Sequence, residues 1–185
     1  MASPIEIINK FYEPGSELWN ILVGHSEAVA HLASEIVRLH PELNADYDFV
    51  YEGAMLHDIG IIRCDAPSIH CHVQFDYICH GTQGAIMLNE LGLTRHALIC
   101  ERHTGSGLTL DEIIATNMPI PHRDMTPQSV EEQIVCYADK FFSKSKDLKE
   151  QKSLERAIKS VAKYGEASLE RFMKMHKKFA IPQIV

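Results

Sequence analysis

The sequence predicts an all-α protein, a single-domain helical bundle, from three observations. Apolar residues recur at spacings of three and four along most of the 185 residues, which is the period of one face of a helix. Alternating runs rich in β-branched residues are few, so no large sheet is expected. Helix caps and Gly or Pro stops divide the chain into helix-length pieces, without a linker or a repeat of about 20–50 residues. We therefore expect residues 1–185 to form one domain.

The first long helix has the clearest pattern. Ser16 follows Pro14-Gly15 and can cap the helix, and an apolar stripe that includes His25 continues to His40-Pro41. Further helices are expected over residues 46–57, 80–91, 94–103, 110–117, 129–143 and 148–179, with an interruption of the last at Gly165 and a loop at 119–127.

The composition is that of an ordinary globular protein, with 45% hydrophobic and 23% charged residues. No apolar run approaches the roughly 18 residues of a membrane span, and the first 15 residues lack the basic start and apolar core of a signal peptide. We expect a cytoplasmic protein without a membrane partner. The five cysteines are odd in number and form no CxxC pair, which favours reduced thiols.

The charge is unevenly distributed. The chain has a formal net charge of −7, yet residues 144–178 carry 11 basic and 5 acidic side chains, or +6, leaving −13 elsewhere. The chain-wide basic footprint of a nucleic-acid-binding protein is therefore absent, and no extended nucleic acid is expected as a partner. The basic segment is interpreted as a solvated helix face, with attraction to an anionic partner as the alternative.

Histidine and aspartate provide the chemical signal. The chain has eleven histidines, and His25 occupies an apolar position of its helix. His57 and Asp58 stand together at the end of an apolar helix, and Asp139 follows Val135 by four residues on a core-facing stripe. A buried carboxylate needs a cation. Taken singly, His25 could be an ordinary core histidine, and Asp139 could form a buried salt bridge to Lys or Arg.

These residues resemble the HD-domain superfamily of metal-dependent phosphohydrolases, and His57-Asp58-Ile59-Gly60 is similar to the motif that names its HDIG branch. The resemblance covers about residues 20–145, and leaves 146–185 as a C-terminal helical extension. It implies a metal-binding set of an early histidine, the His-Asp doublet, a late aspartate and, in binuclear members, two further histidines. In this sequence these are His25, His57, Asp58, His80, His103 and Asp139.

The resemblance implies two divalent transition-metal ions, and Fe, Mn, Zn, Co and Ni are the candidates for their identity. Four imidazoles and two carboxylates suit such ions better than Ca²⁺. We expect one ion on His25, His57, Asp58 and Asp139, with Asp58 bridging to a second ion on His80 and His103. A pair of ions activates a hydroxide for attack on phosphorus, which makes Asp58, His80 and His103 the candidate catalytic residues.

An anionic substrate also needs cationic side chains. Candidates for binding the phosphate are Arg102, His122, Arg123 and Lys140. Backbone N–H groups of residues 104–107 could contribute, although a plain helix-stop turn explains that sequence as well. Loops 63–79 and 119–127 are expected to shape the pocket. A zinc knuckle of Cys71, His72, Cys79 and His80 fits no standard spacing. The histidines away from these segments, at positions 31, 40, 96 and 176, are interpreted as surface residues.

The sequence therefore predicts a divalent-metal-dependent phosphohydrolase, a phosphatase or phosphodiesterase that acts on a small phosphorylated molecule, with a nucleotide as the first candidate. A di-iron oxygenase of the same fold is one alternative, and a non-catalytic nucleotide-sensing module is another. The closing helices could cover the core or pair with a second copy in a homodimer.

Overall fold

The computed structural model describes residues 2–144 and 147–184. Its helices are α1 (Pro4–Ile8), α2 (Glu17–Leu39), α3 (Tyr47–Leu56), α4 (His80–Glu90), α5 (Thr94–Arg102), α6 (Leu110–Ala115), α7 (Val130–Asp139), α8 (Leu154–Val161) and α9 (Glu166–Phe179). Short 3-10 helices lie at Pro41–Leu43, Ile59–Arg63, Pro67–Ile69, Tyr77–Cys79, Ala162–Tyr164 and Pro182–Ile184. The predicted all-α class is confirmed.

Side-chain caps begin most of the helices at the positions that the sequence marks. Ser16 accepts a hydrogen bond from the backbone N–H of Trp19, and Asp46 accepts one from Phe49. Thr109 and Glu112 form a reciprocal capping box at the start of α6. Gly165 separates α8 from α9 with a φ of 103°, a backbone conformation that L side chains rarely adopt. The predicted interruption at Gly165 is confirmed.

Two predicted helices are shorter in the structure. The helix expected to reach Ser143 ends at Asp139, because the following turns tighten: Phe141 and Phe142 donate to the carbonyls three residues earlier. The helix expected from Leu148 begins at Leu154, where Ser153 supplies the cap. Lys146 falls in the two-residue gap and lies outside the described residues.

A small sheet lies in the segment that was predicted to be irregular. It comprises β1 (Cys64–Ala66), β2 (Cys71–His72) and β3 (Phe75–Asp76), in the order β2-β1-β3, with β2 antiparallel and β3 parallel to β1. Strands of two or three residues are too short for hydrophobic periodicity to predict. The helix α1 was also not predicted; Ser3 and Glu6 form its capping box.

The interior consists of two large apolar clusters. One is built around α2, α3 and α7 and includes residues of α8 and α9, and the other packs α1 and the start of α2 against α4 and α5. All five cysteines are buried and free, in agreement with reduced thiols. Within residues 2–144 and 147–184, no helix combines the length and apolar character needed to cross a membrane.

Candidate metal centre

Six buried side chains converge where the ends of several helices meet. His57 caps the C-terminus of α3, and Asp58 follows it. His80 is the first residue of α4, His103 caps the C-terminus of α5, and Asp139 ends α7. His25 reaches the same point from the middle of α2. The structure thus brings together all six predicted metal-binding residues, which are less than a tenth exposed.

The Asp58 carboxylate lies between two groups of ligand atoms. Its Oδ2 is 3.2 Å from His25 Nε2 and 3.1 Å from His57 Nε2. Its Oδ1 is 3.4 Å from the Nε2 atoms of both His80 and His103. Asp139 Oδ1 completes the first group, at 3.0 Å from His25 Nε2 and 3.4 Å from His57 Nε2. This is the arrangement of a carboxylate that could bridge two cations.

Backbone carbonyls orient three of the imidazoles. The Nδ1 atoms of His57, His80 and His103 lie 2.6–2.7 Å from the carbonyl oxygens three residues earlier in the chain. A carbonyl oxygen only accepts, so each Nδ1 must carry the hydrogen and donate it. In the neutral ring the lone pair is then on Nε2, which faces the cluster. A backbone partner that fixes the ring in this way is typical of metal-binding histidines.

His80 and His103 both direct an imidazole lone pair at the cluster, where a cation could accept it. Burial lowers the pKa of His80 to about 3 and also lowers the pKa of His103, so both rings are neutral at pH 7. Their Nε2 atoms are 3.0 Å apart, and neither has a hydrogen for the other because each Nδ1–H already binds a carbonyl. Two lone pairs so close repel one another unless an electron-pair acceptor lies beside them.

The spacing of the ligand atoms fits transition-metal ions. Atoms held at about 2.1 Å from one ion lie about 3.0 Å apart in octahedral geometry and about 3.4 Å apart in tetrahedral geometry. Seven of the separations within the two groups are 3.0–3.4 Å, and all ligand atoms of each group lie within 4.8 Å of one another. His57 Nε2 and both oxygens of Asp58 are also buried without a hydrogen bond of good geometry among the described residues. The donor set therefore fits divalent metal binding.

Two lysines contact the carboxylates of the cluster. Lys140 Nζ is 2.6 Å from Asp139 Oδ2, and Lys144 Nζ is 2.7 Å from Asp58 Oδ2. The buried salt bridge considered for Asp139 is thus present, but on Oδ2, whereas His25 and His57 contact Oδ1. Burial alone would raise the pKa of both carboxyls, yet the neighbouring charges outweigh it and hold each pKa well below its usual range.

The same two carboxylates change the pKa of His57. Burial disfavours its charged form, but Asp58 and Asp139 outweigh burial and raise the pKa of His57 to about 9. A proton and a metal ion therefore compete for the same Nε2 atom.

The chain around Asp58 is fixed by close contacts. The hydroxyl of Tyr12 donates to the carbonyl of Ile59 at 2.6 Å and accepts from the N–H of Ile62 at 3.0 Å. Gly60 packs so closely on α4 that a Cβ atom would lie 2.1 Å from the carbonyl oxygen of His80 and 2.2 Å from the nitrogen of Gly84. These contacts hold the turn that bears Asp58 against the helix that bears His80.

The predicted phosphate-binding residues have different surroundings. Lys140 lies at the cluster and also donates to the carbonyl of His103. Arg102 pairs with Glu132, and the largely exposed Arg123 pairs with Glu101, so both contact carboxylates outside the cluster. His122 is exposed on the loop before Met125.

The structure bears on two details of the sequence interpretation: it favours the plain turn at residues 104–107, and it corrects the assignment of His96 to the surface. The turn at residues 104–107 binds α9 through Arg171, which donates to the carbonyls of Ser106 and Gly107, and this favours a structural turn. His96, interpreted as a surface residue, is buried and lies 3.0 Å from Glu52. It is three residues before Ile99 and therefore shares the inward face of α5.

One residue beside the cluster, Lys144, was missed. It follows the end of α7 in an irregular segment, within the basic stretch interpreted as a solvated face. A lysine five residues after the motif aspartate was the available signal for it. Tyr77, in the loop expected to shape the pocket, stacks on His80, with ring centroids 4.7 Å apart.

The fold and the cluster define a class of protein: an all-α domain whose helix ends assemble a buried histidine–aspartate centre that fits divalent metal binding. Residues 22–143 match the HD domain family, and the chain belongs to that family. No solved structure matches the chain.

Three curated relatives share part of this sequence. A tRNA (cytidine(56)-2'-O)-methyltransferase of Thermoplasma volcanium is 34% identical over 158 residues, which is 84% of this chain and 41% of the relative. An uncharacterized protein of Methanocaldococcus jannaschii is 36% identical over 121 residues, which is 64% of each chain. A tRNA (cytidine(56)-2'-O)-methyltransferase of Picrophilus torridus is 32% identical over 125 residues, covering 67% of this chain and 32% of the relative. The chain thus spans less than half the length of the two methyltransferases.

Proposed function

We propose that the protein is a divalent-metal-dependent phosphohydrolase that hydrolyses a phosphate ester or phosphoanhydride of a small molecule, with nucleotides as the first class to test. The proposal is supported by membership of the HD domain family and by the geometry of the cluster. The observation that carries it is the position of Asp58, whose two oxygens each face a separate group of imidazole nitrogens.

In this proposal the six residues hold two ions. His25, His57, Asp58 and Asp139 would hold one, and Asp58, His80 and His103 the other. Divalent ions at such positions supply two effects: they make water a stronger nucleophile near neutral pH and they neutralise charge on phosphoryl oxygens. Lys140 keeps the second oxygen of Asp139 engaged, so that the first oxygen keeps its direction toward His25 and His57.

The experiment combines metal analysis with a hydrolysis screen. The chain is stripped with EDTA, reloaded separately with Mn²⁺, Fe²⁺, Co²⁺, Ni²⁺, Zn²⁺ or Mg²⁺, and assayed against nucleoside monophosphates, cyclic phosphodiesters and pyrophosphates. We expect Asp58→Ala to lose both bound metal and turnover, because it removes a ligand from each group. Asp48→Ala changes an exposed aspartate of α3 and serves as the control. Circular dichroism checks that both variants keep their helical content. Turnover by Asp58→Ala would contradict the proposal.

The same preparations distinguish the two alternatives. A di-iron oxygenase would consume O₂ only when loaded with ferrous iron and would show an iron-dependent absorption band. A nucleotide-sensing module would bind nucleotide stoichiometrically without turnover under every metal.

A phosphate group on RNA is a second candidate substrate, because two relatives are named for an activity on tRNA. Methyl transfer is the activity given in the names of those two longer proteins. We therefore add oligoribonucleotides with a terminal phosphate or a 2',3'-cyclic phosphate to the screen. Hydrolysis of these alone would favour the RNA substrate over the nucleotide.

A further inference from the structure

Lys144 reaches into the centre from outside the six-residue cluster. It lies in the irregular segment after α7, and its side chain is 16% exposed. Its ammonium is 2.7 Å from Asp58 Oδ2, the oxygen that also faces His25 and His57. The same ammonium lies 5.9 Å from the centre of the Tyr77 ring.

The ammonium and a metal ion compete for one oxygen atom. An ion held by His25, His57, Asp58 and Asp139 would use Asp58 Oδ2, the contact atom of Lys144. Two cations this close in a buried site repel strongly, since the interior screens charge far less than water. A bound ion therefore requires the Lys144 ammonium to withdraw from Asp58. A buried ammonium without an anion is costly, so the displaced group needs a new partner.

A groove beside Lys144 can hold a molecule that carries such a partner. It has a volume of about 370 Å³ and is lined by Asp65, Ala66, Ser68, Ile69, Tyr77 and Lys144. This size falls within the roughly 300–1,000 Å³ of ligand pockets. Lys144 contacts Asp58 and Tyr77 stacks on His80, so both link the groove to the cluster. The groove walls at Ala66, Ile69 and Tyr77 are apolar, which suits an organic group better than a second ion.

We propose that this groove is the substrate site and that Lys144 is its phosphate-binding residue: the ammonium leaves Asp58 when metal binds and then pairs with the substrate phosphate. The inference rests on the proposed function and specifies its substrate class, a phosphate monoester whose organic group enters the groove between residues 65–69 and Tyr77. Lysine is suited to this role because its compact charge and flexible stem can serve two positions.

The first test measures metal affinity without any turnover. Lys144→Met should bind Mn²⁺ more tightly than the unchanged protein in a calorimetric titration, because the competing internal cation is gone. Lys149→Met makes the same chemical change at an exposed position of the same segment and should leave the affinity unchanged. Equal Mn²⁺ affinity in Lys144→Met and the unchanged protein would overturn the proposal.

The second test measures phosphate binding to the Mn²⁺-loaded protein. Loss of a charge-assisted hydrogen bond should weaken binding of inorganic phosphate by about 10- to 100-fold in Lys144→Met. Lys144→Arg keeps the positive charge and should retain most of the binding. Tighter Mn²⁺ binding with unchanged phosphate binding would overturn the proposal and reduce Lys144 to a structural counter-ion.

The third test addresses the organic group. Ser68→Trp places a large side chain at the exposed edge of the groove, and it should raise KM for a nucleoside monophosphate while inorganic phosphate still binds. An unchanged KM would overturn the assignment of the groove. If no compound is hydrolysed but phosphate binding still depends on Lys144, the proposed hydrolase function fails and the phosphate site stands.

Discussion

At the scale of single residues, Gly60 shows how the centre depends on close backbone contact. In the sequence this glycine is interpreted as the stop of the helix that ends at His57. In the structure its hydrogen faces the carbonyl of His80 and the nitrogen of Gly84, where a Cβ atom would lie within 2.2 Å of backbone atoms. Backbone cannot rotate aside as a side-chain tip can. Gly60 therefore sets the distance between Asp58 and His80.

Gly60→Ala should lower both stability and metal affinity. Forcing a methyl group into this contact is expected to cost about 2–3 kcal/mol of unfolding free energy, as overpacking commonly does. Urea denaturation followed by circular dichroism measures this cost, and a Mn²⁺ titration of the folded protein measures the affinity.

Gly15→Ala is the matched control for this change. Gly15 has open space around it but a φ of 82°, so alanine there should cost about 1–2 kcal/mol through backbone strain alone. Its metal affinity should stay unchanged. A Gly60→Ala protein with unchanged Mn²⁺ affinity would refute the proposed role of the close contact.

Residue patterns indicate the six cluster residues because each stands on a motif or an inward helix position. Lys144 could not be placed in this way, since its reach to Asp58 depends on the path of an irregular segment. Arg102 and Arg123 illustrate the same limit: their partners Glu132 and Glu101 lie 30 and 22 residues away. Local spacing does not reveal such pairings.

At the scale of elements, Arg171 joins α9 to the turn that follows His103. It donates to the carbonyls of Ser106 and Gly107 and to the carboxylate of Glu112 on α6. Periodicity predicts helices α6 and α9 and their faces, but not this polar connection, which lies between segments about sixty residues apart. The connection stabilises the turn that directly follows His103 at the end of α5.

Glu112→Gln should destabilise the protein by about 1–2 kcal/mol at pH 7, because it weakens a charge-assisted hydrogen bond. Glutamine can still cap α6 at this position, so the change isolates the charge. Burial raises the pKa of Glu112, but the Thr109 N–H and Arg171 outweigh burial and lower it below its usual 4.5. The charged form therefore contributes stability above pH 4.5, and this contribution is lost as the pH falls through the lowered pKa.

Urea titrations of both proteins at pH 7 and at pH values below 4.5 check this dependence. The difference in unfolding free energy should shrink as the pH falls. Glu170→Gln changes an exposed carboxylate of α9 and should show little difference at any pH. A constant difference for Glu112→Gln across this range would contradict the ion-pair explanation.

At the scale of the whole molecule, the C-terminal helices share a core with the segment that matches the HD domain family. Phe172 of α9 is fully buried, and its ring lies 5.4 Å from Tyr137 and 6.1 Å from Phe141, measured between centroids. Tyr137 is on α7, two residues before Asp139. The sequence left open whether the closing helices cover the core or pair with a second copy, and the face of α9 that bears Phe172 and Phe179 covers the core.

Phe172→Ala tests whether residues 1–185 unfold as the single domain that the sequence predicts. Removing this ring should cost about 3–5 kcal/mol, because it leaves a cavity between α7 and α9. Met173 is the neighbouring residue on α9 but is 38% exposed, so Met173→Ala should stay within about 0.5 kcal/mol of the unchanged protein. If the chain unfolds as one cooperative unit, Phe172→Ala shifts a single urea transition to lower urea concentration. Release of Mn²⁺ then follows the same curve, because α7 carries Asp139. Two separate transitions, with metal retained through the first, would instead mean that residues 146–185 fold independently of the centre.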